Sequence, residues 1–101
     1  MALVTTKQML LNAQAEGYAV GAFNVENMEM AQAVVAAAEE LRAPVILQTT
    51  PSTIRYADLS YYYAAAKVAA EKASVPVAVH LDHGSSFELA MKALRVGYTS
   101  I

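Results

Sequence analysis

Val75-Pro76-Val77-Ala78-Val79 runs straight into His80-Leu81-Asp82-His83-Gly84, and Ser85-Ser86-Phe87-Glu88 follows at once. The first segment is a short continuous apolar run, the pattern of a parallel strand covered on both faces. The last has the Ser-x-x-Glu spacing of a capping box at Ser85 and Glu88, so a helix starts there. A strand feeding a helix through a short junction is one βα unit. The junction carries two imidazoles and a carboxylate, which are costly at the end of a buried strand unless they are paired or engage a ligand.

The same pattern recurs upstream. Thr5-Thr6-Lys7-Gln8 has capping-box spacing, Met9, Leu10 and Ala13 follow at helical intervals, and Gly17 is placed to end that helix. Tyr18 to Phe23 reads as a short buried strand stopping at Asn24. Asn27 then caps a helix with Met30, Val34, Ala37 and Leu41 as its apolar stripe and Glu29 near its positive end. Pro44 to Thr50 is a second strand, broken at Pro51, with a loop through about Tyr56. Leu59, Tyr62, Tyr63, Ala66, Ala70 and Ala73 keep a helical period to about Ser74. The third strand spans Pro76 to Asp82. Phe87, Met91 and Leu94 form the stripe of the following helix, which Gly97 ends, and Tyr98 to Ile101 opens a fourth strand.

Strand-helix alternation with apolar strands places the chain in the α/β class with a parallel sheet. Asn24, Thr50 and His83 end successive strands at intervals of roughly 30 residues, and eight such units make a TIM (β/α)8 barrel of about 250. Residues 1–101 are expected to be the N-terminal part of one such barrel, covering three βα units and the start of the fourth strand.

Composition supports a packed domain. Of 101 residues, 56% are apolar and 16% charged, and 7 basic against 9 acidic side chains leave a net charge of -2. That balance argues against nucleic acid and anionic membranes as partners. Cysteine is absent, which removes disulfides, thiol nucleophiles and thiolate metal sites. With no leader pattern at the N-terminus and no apolar run of spanning length, a cytoplasmic protein is expected.

Alternation along the third strand sends Ala78, His80 and Asp82 to one face, and Val79 and Leu81 to the other. If the first set faces the barrel interior, Asp82 stands at the mouth and His80 one layer deeper. His83 lies at the junction, where alternation can break and its imidazole can turn inward. Neutral imidazole suits zinc, so His83 is either a ligand or a hydrogen-bonded strand-end histidine. His80, deeper, is more naturally a structural hydrogen-bonding residue than a second ligand. Asp82 could ligate metal, orient a histidine, act as general acid/base, or accept from the amides of the next helix. Asn24 and Thr50 end strands at the same mouth, where each could donate to a polar ligand or serve as a turn residue. Gln48 shares the face of Thr50. The tyrosines 61 to 63 suit helix packing, and Arg55 suits solvent.

These residues resemble the class II, metal-dependent ketose-bisphosphate aldolases. The resemblance covers the whole chain: Thr6-Lys7-Gln8-Met9-Leu10, Gly17-Tyr18-Ala19-Val20 through Phe23-Asn24, Ala43-Pro44-Val45-Ile46, and the motif Val79-His80-Leu81-Asp82-His83-Gly84. It implies a TIM barrel, zinc held by His83 and two histidines beyond Ile101, and Asp82 as the catalytic acid/base. It makes His80 structural support, Asn24 a substrate contact, and Thr50 and Gln48 residues near substrate. The implied reaction is reversible cleavage of a ketose 1,6-bisphosphate to dihydroxyacetone phosphate and glyceraldehyde 3-phosphate. Gly84-Ser85-Ser86-Phe87 is closer to the fructose enzymes and Thr50-Pro51 to the tagatose ones, with fructose favoured. Phosphate loops and a monovalent-cation site are also implied, both on residues beyond Ile101, and the full-length protein is expected to be a homo-oligomer, a dimer or tetramer. The 101 residues alone are accordingly expected to be inactive.

Other classes fit the sequence less well. A phosphoacceptor domain with Asp82 as acceptor needs an acidic pair after the first strand, where Phe23-Asn24-Val25 offers only Glu26 nearby. A dinucleotide-binding module needs a GxGxxG after a strand, and none is present. A non-catalytic segment retaining family features is the remaining alternative.

Overall fold

The computed structural model describes residues 3–101. Its elements run α1 (Thr6–Glu16), β1 (Gly21–Asn24), α2 (Met28–Leu41), β2 (Val45–Thr49), α3 (Pro51–Tyr56), α4 (Leu59–Lys72), β3 (Val77–Leu81) and α5 (Phe87–Val96). The strands form one parallel sheet in the order β1-β2-β3. Parallel neighbours need a crossover, and α2 and α4 supply the two crossovers while packing on each other.

One face of the sheet is closed by these helices. Leu47, Val77, Val79 and Leu81 meet Ala31, Val35 and Ala38 of α2, Ala66 and Ala70 of α4, and Ala93 of α5. Alanines on all three helices let them approach the sheet closely, so the large strand side chains fill the space between layers. The other face has a small apolar base, in which Met9 of α1 covers Ile46 and Ala78, with Val4 and Val20 beside them. β2 and β3 share one burial pattern, with a single position short of full burial in each: Gln48 and His80, which are register partners.

Several elements depart from the sequence reading. The first strand is shorter than expected and exposed along its whole length, and none of its residues joins either buried cluster. The stripe on α2 is offset by one residue: Ala31, Val35 and Ala38 are buried, Val34 packs against the core, and Leu41 is 76% exposed. A helix this rich in alanine and valine offers several plausible stripes, and close contact selects the smallest. The expected loop after β2 is instead α3, with Pro51 in its first turn, where a fixed φ and a missing N–H suit a helix.

The cap of α5 is Ser86, whose side chain accepts from the Leu89 amide, so the helix begins one residue later than Ser85 implies. Its buried residue is Ala93, with Leu89 and Val96 packed nearby, whereas Phe87 is 75% exposed. Thr5 caps α1 by backbone position without a side-chain hydrogen bond, and Gln8 bonds to Asn12 instead. Gly17 ends α1 in the left-handed conformation at φ 77°, as its spacing predicts. Asn27 caps α2 by accepting from the Met30 amide. The fourth strand is present only as a parallel bridge between Ser100 and His80.

Candidate functional site

The polar residues converge where the three strands end. Register pairs Asn24 with Gln48 and Gln48 with His80, so the three lie on one rung of the sheet. Main-chain hydrogen bonds continue past the strand ends: Val25 N–H donates to Gln48 O at 3.0 Å and Asp82 N–H to Thr49 O at 2.8 Å. Asn24 and Asp82 are thereby held on either side of Gln48. The Gln48 amide donates to Asn24 Oδ1 at 2.8 Å and to Asp82 Oδ2 at 3.3 Å.

Asp82 is the hub of this group. His80 Nε2 lies 3.9 Å from its Oδ1, and His83 Nε2 lies 3.6 Å from its Oδ2. The other nitrogen of His80 is hydrogen-bonded to Ser100 Oγ at 2.7 Å, and Thr6 Oγ1 donates to that same oxygen at 3.2 Å. Burial lowers the His80 pKa below the ordinary imidazole value, against the opposing pull of the Asp82 carboxylate. A half-buried imidazole tied at one nitrogen holds the other at a fixed place beside the carboxylate.

His83 differs in backbone conformation and in exposure. Its φ of 53° is left-handed, a conformation that costs a non-glycine residue about 1 kcal/mol. Its side chain is 82% exposed. The break in alternation expected at the junction is thus made by one left-handed residue, and it leaves the imidazole accessible next to Asp82. The arrangement offers an approaching molecule one imidazole, one carboxylate already contacted by an amide, and the Asn24 side chain on the same rung.

Thr50 is not part of this network. It caps α3, with its hydroxyl 2.9 Å from Ser52 Oγ and 3.1 Å from Thr53 Oγ1. Ser100 and Thr6 were not legible as neighbours of His80, because only the pairing of the fourth-strand residues with β3 brings Ser100 alongside it. The contact between Glu26 and Thr53 likewise has no local signal in the sequence. Thr53 is 2% exposed and donates to Glu26 Oε1 at 2.9 Å, joining the segment after β1 to α3.

Residues 4–101 match the family model for class-II fructose-bisphosphate aldolase. The chain belongs to the class-II fructose-bisphosphate aldolase family. A fructose-bisphosphate aldolase from Thermus caldophilus is 52% identical over 99 residues, covering 98% of this chain and 32% of the relative. One from Staphylococcus aureus strain Mu50 is 42% identical over 106 aligned positions, covering 100% of this chain and 36% of the relative. The crystal structure of the YdjI aldolase from Escherichia coli K12 superposes with a TM-score of 0.89 at 33% identity, over 95% of this chain and 38% of that one. The chain therefore spans about a third of the length of the aldolases it matches, and the α/β fold with its parallel sheet is the fold of that part.

A catalytic zinc needs about three protein ligands and one open position. Among the described residues, no three His, Cys, Asp or Glu side chains gather in a way that could hold a metal ion. The exposed imidazole of His83 suits one ligand position, so these residues fit a share of a zinc site and do not complete one. Among the described residues no helix is long and apolar enough to cross a membrane.

Proposed function

We propose that these residues form the first three βα units of a (β/α)8 aldolase that cleaves fructose 1,6-bisphosphate reversibly to dihydroxyacetone phosphate and glyceraldehyde 3-phosphate. The observation that carries this reading is the Asp82 carboxylate at the mouth end of β3, contacted by Gln48 and flanked by the accessible His83. Family membership and the names of the relatives point to the fructose substrate. The tagatose isomer, which differs at C4, is the competing sugar.

In this reading Asp82 takes the proton from the C4 hydroxyl as the C3–C4 bond breaks, and returns it in the direction of synthesis. Asn24 hydrogen-bonds a substrate oxygen from the same rung, Thr50 lies near the substrate at the end of β2, and His80 supports Asp82 from below. His83 supplies one imidazole to zinc, whose chemistry when bound is polarisation of the substrate ketone. The other zinc ligands, the phosphate loops and a monovalent-cation site are assigned to residues outside these 101. The working protein is proposed to be a cytoplasmic homo-oligomer, and the 101-residue segment by itself is proposed to give no turnover with zinc and substrate.

Zinc content and turnover, measured together in the naturally produced protein, test the division of roles. Asp82→Ala is expected to lower kcat by about 10²–10⁴-fold while zinc stays bound. His83→Ala is expected to lose zinc and activity together. Zinc retained in His83→Ala sinks the ligand assignment, and near-normal turnover in Asp82→Ala sinks the acid/base assignment.

A further inference from the structure

Gln48 stands on the middle strand between two residues that the outer strands carry. Its Nε2 is 2.8 Å from Asn24 Oδ1 and 3.3 Å from Asp82 Oδ2. An amide nitrogen carries two protons, and an ionised carboxylate only accepts. Contact with Asp82 therefore fixes which end of the Gln48 amide faces it. The second proton on the same nitrogen goes to Asn24 Oδ1. Both donors of Gln48 are then taken up within the chain.

The consequence passes to Asn24. With Oδ1 turned toward Gln48, its own NH₂ group is directed elsewhere, as a pure donor. A bisphosphorylated sugar presents oxygen acceptors at nearly every position, so a fixed donor suits it and a flipped amide would oppose it. β1 and β3 do not pair with one another, so this side chain of β2 links the two residues across the sheet.

We propose that Gln48 is a positioning residue that orients the Asp82 carboxylate and sets the Asn24 amide as a donor, without itself contacting substrate. This rests on the aldolase reading and departs from the substrate-proximal role that resemblance assigns to Gln48. Two substitutions separate the roles. Gln48→Met keeps the length of the side chain and removes its donors. Gln48→Glu keeps the shape, reverses the polarity facing Asn24 and sets a second carboxylate against Asp82.

Steady-state cleavage of fructose 1,6-bisphosphate by the naturally produced protein reads the difference. Gln48→Met is expected to lower kcat by about tenfold or more, because a carboxylate free to rotate is misplaced for proton transfer, with KM within about threefold of wild type. Gln48→Glu is expected to lose at least as much kcat and also to raise KM, since Asn24 turns its oxygen toward the substrate. A rise in KM with kcat retained in Gln48→Met means that Gln48 does not position the Asp82 carboxylate and overturns the proposal, as do wild-type constants in that variant. Should Gln48→Met fail to fold by circular dichroism, Gln48→Glu decides: retained kcat overturns the proposal, and the double loss supports it. A wild-type protein without cleavage fails the aldolase reading and this inference with it. An active wild type beside an unimpaired variant fails this inference alone.

Discussion

The two faces of the sheet use the same strands for opposite purposes. On the helix-covered face Leu47, Val77, Val79 and Leu81 are almost wholly withdrawn from solvent. On the other, the apolar base of Met9, Ile46 and Ala78 gives way after one layer to Asn24, Gln48, His80 and Asp82. Strand alternation makes this possible, because neighbouring residues answer to different environments. Leu47 answers to packing and Gln48 to hydrogen-bond geometry, one residue apart.

That contrast can be broken most directly at those two positions. Leu47→Ala is expected to destabilise the protein by about 2–5 kcal/mol, the lost transfer energy plus the cavity left in a close-packed layer. Gln48→Ala is expected to cost less than about 1 kcal/mol, because it removes no core volume. Equilibrium urea unfolding of both variants measures the difference. Equal losses would mean that the polar face also supports the fold, and the division between the two faces would be wrong.

The same contrast explains what could be seen in the sequence. Val77 to Leu81 declared itself because a continuous apolar run followed by His80, Asp82 and His83 has few readings other than a covered strand with chemistry at its end. Asn27 and Gly17 were legible because cap and left-handed stop are local requirements, met by the residue itself. The α2 and α5 stripes were less so. There the deciding factor is which face approaches the sheet closely enough for Ala31 or Ala93, and a hydrophobic period alone does not carry that distance. Phe87 and Phe23 mislead similarly, since both are large and apolar yet half or more exposed. Of the site, Asp82 and His83 could be picked out by type and place, whereas the Gln48 bridge depends on register between strands. Ser100 and Thr6 meet at His80 from the two ends of the chain, and no local signal links them.

A second test lies within the covered face, where one polar pair is buried among the apolar side chains. Thr49 Oγ1 and the Tyr98 hydroxyl are 2.8 Å apart, and both residues are nearly inaccessible. Burial pushes the Tyr98 phenol up to about 12, so it stays neutral and able to donate throughout the ordinary pH range. Tyr98→Phe leaves a buried threonine hydroxyl without its partner and is expected to cost about 1–3 kcal/mol. Adding Thr49→Val should recover part of that loss, because both polar groups are then gone. Unfolding of the two single variants and the double variant gives the coupling directly. Strictly additive losses would show that the pair does not interact.

The smallest expected effect lies at the outer edge of the covered face, where Lys92 of α5 bonds to Asp58, the cap of α4, at 2.7 Å. The Lys92 hydrogen bond, helped by the Ser60 hydroxyl and amide, holds the Asp58 carboxyl down at about 2, below its usual 3.8. A carboxylate depressed in the folded state contributes stability above its ordinary value and loses that contribution as pH falls through the folded one. The Asp58–Lys92 contribution is therefore complete at pH 5 and above, and it disappears between about 4 and 2. Asp58→Asn keeps a good cap for α4 and removes only the charge. Both partners are exposed, so the melting temperature at pH 7 should fall by only about one or two degrees, and by less in high salt. At pH 2 the gap between variant and wild type should have narrowed. A gap that persists unchanged at pH 2 would assign the effect to the cap hydrogen bonds, leaving the α4–α5 edge held by packing alone.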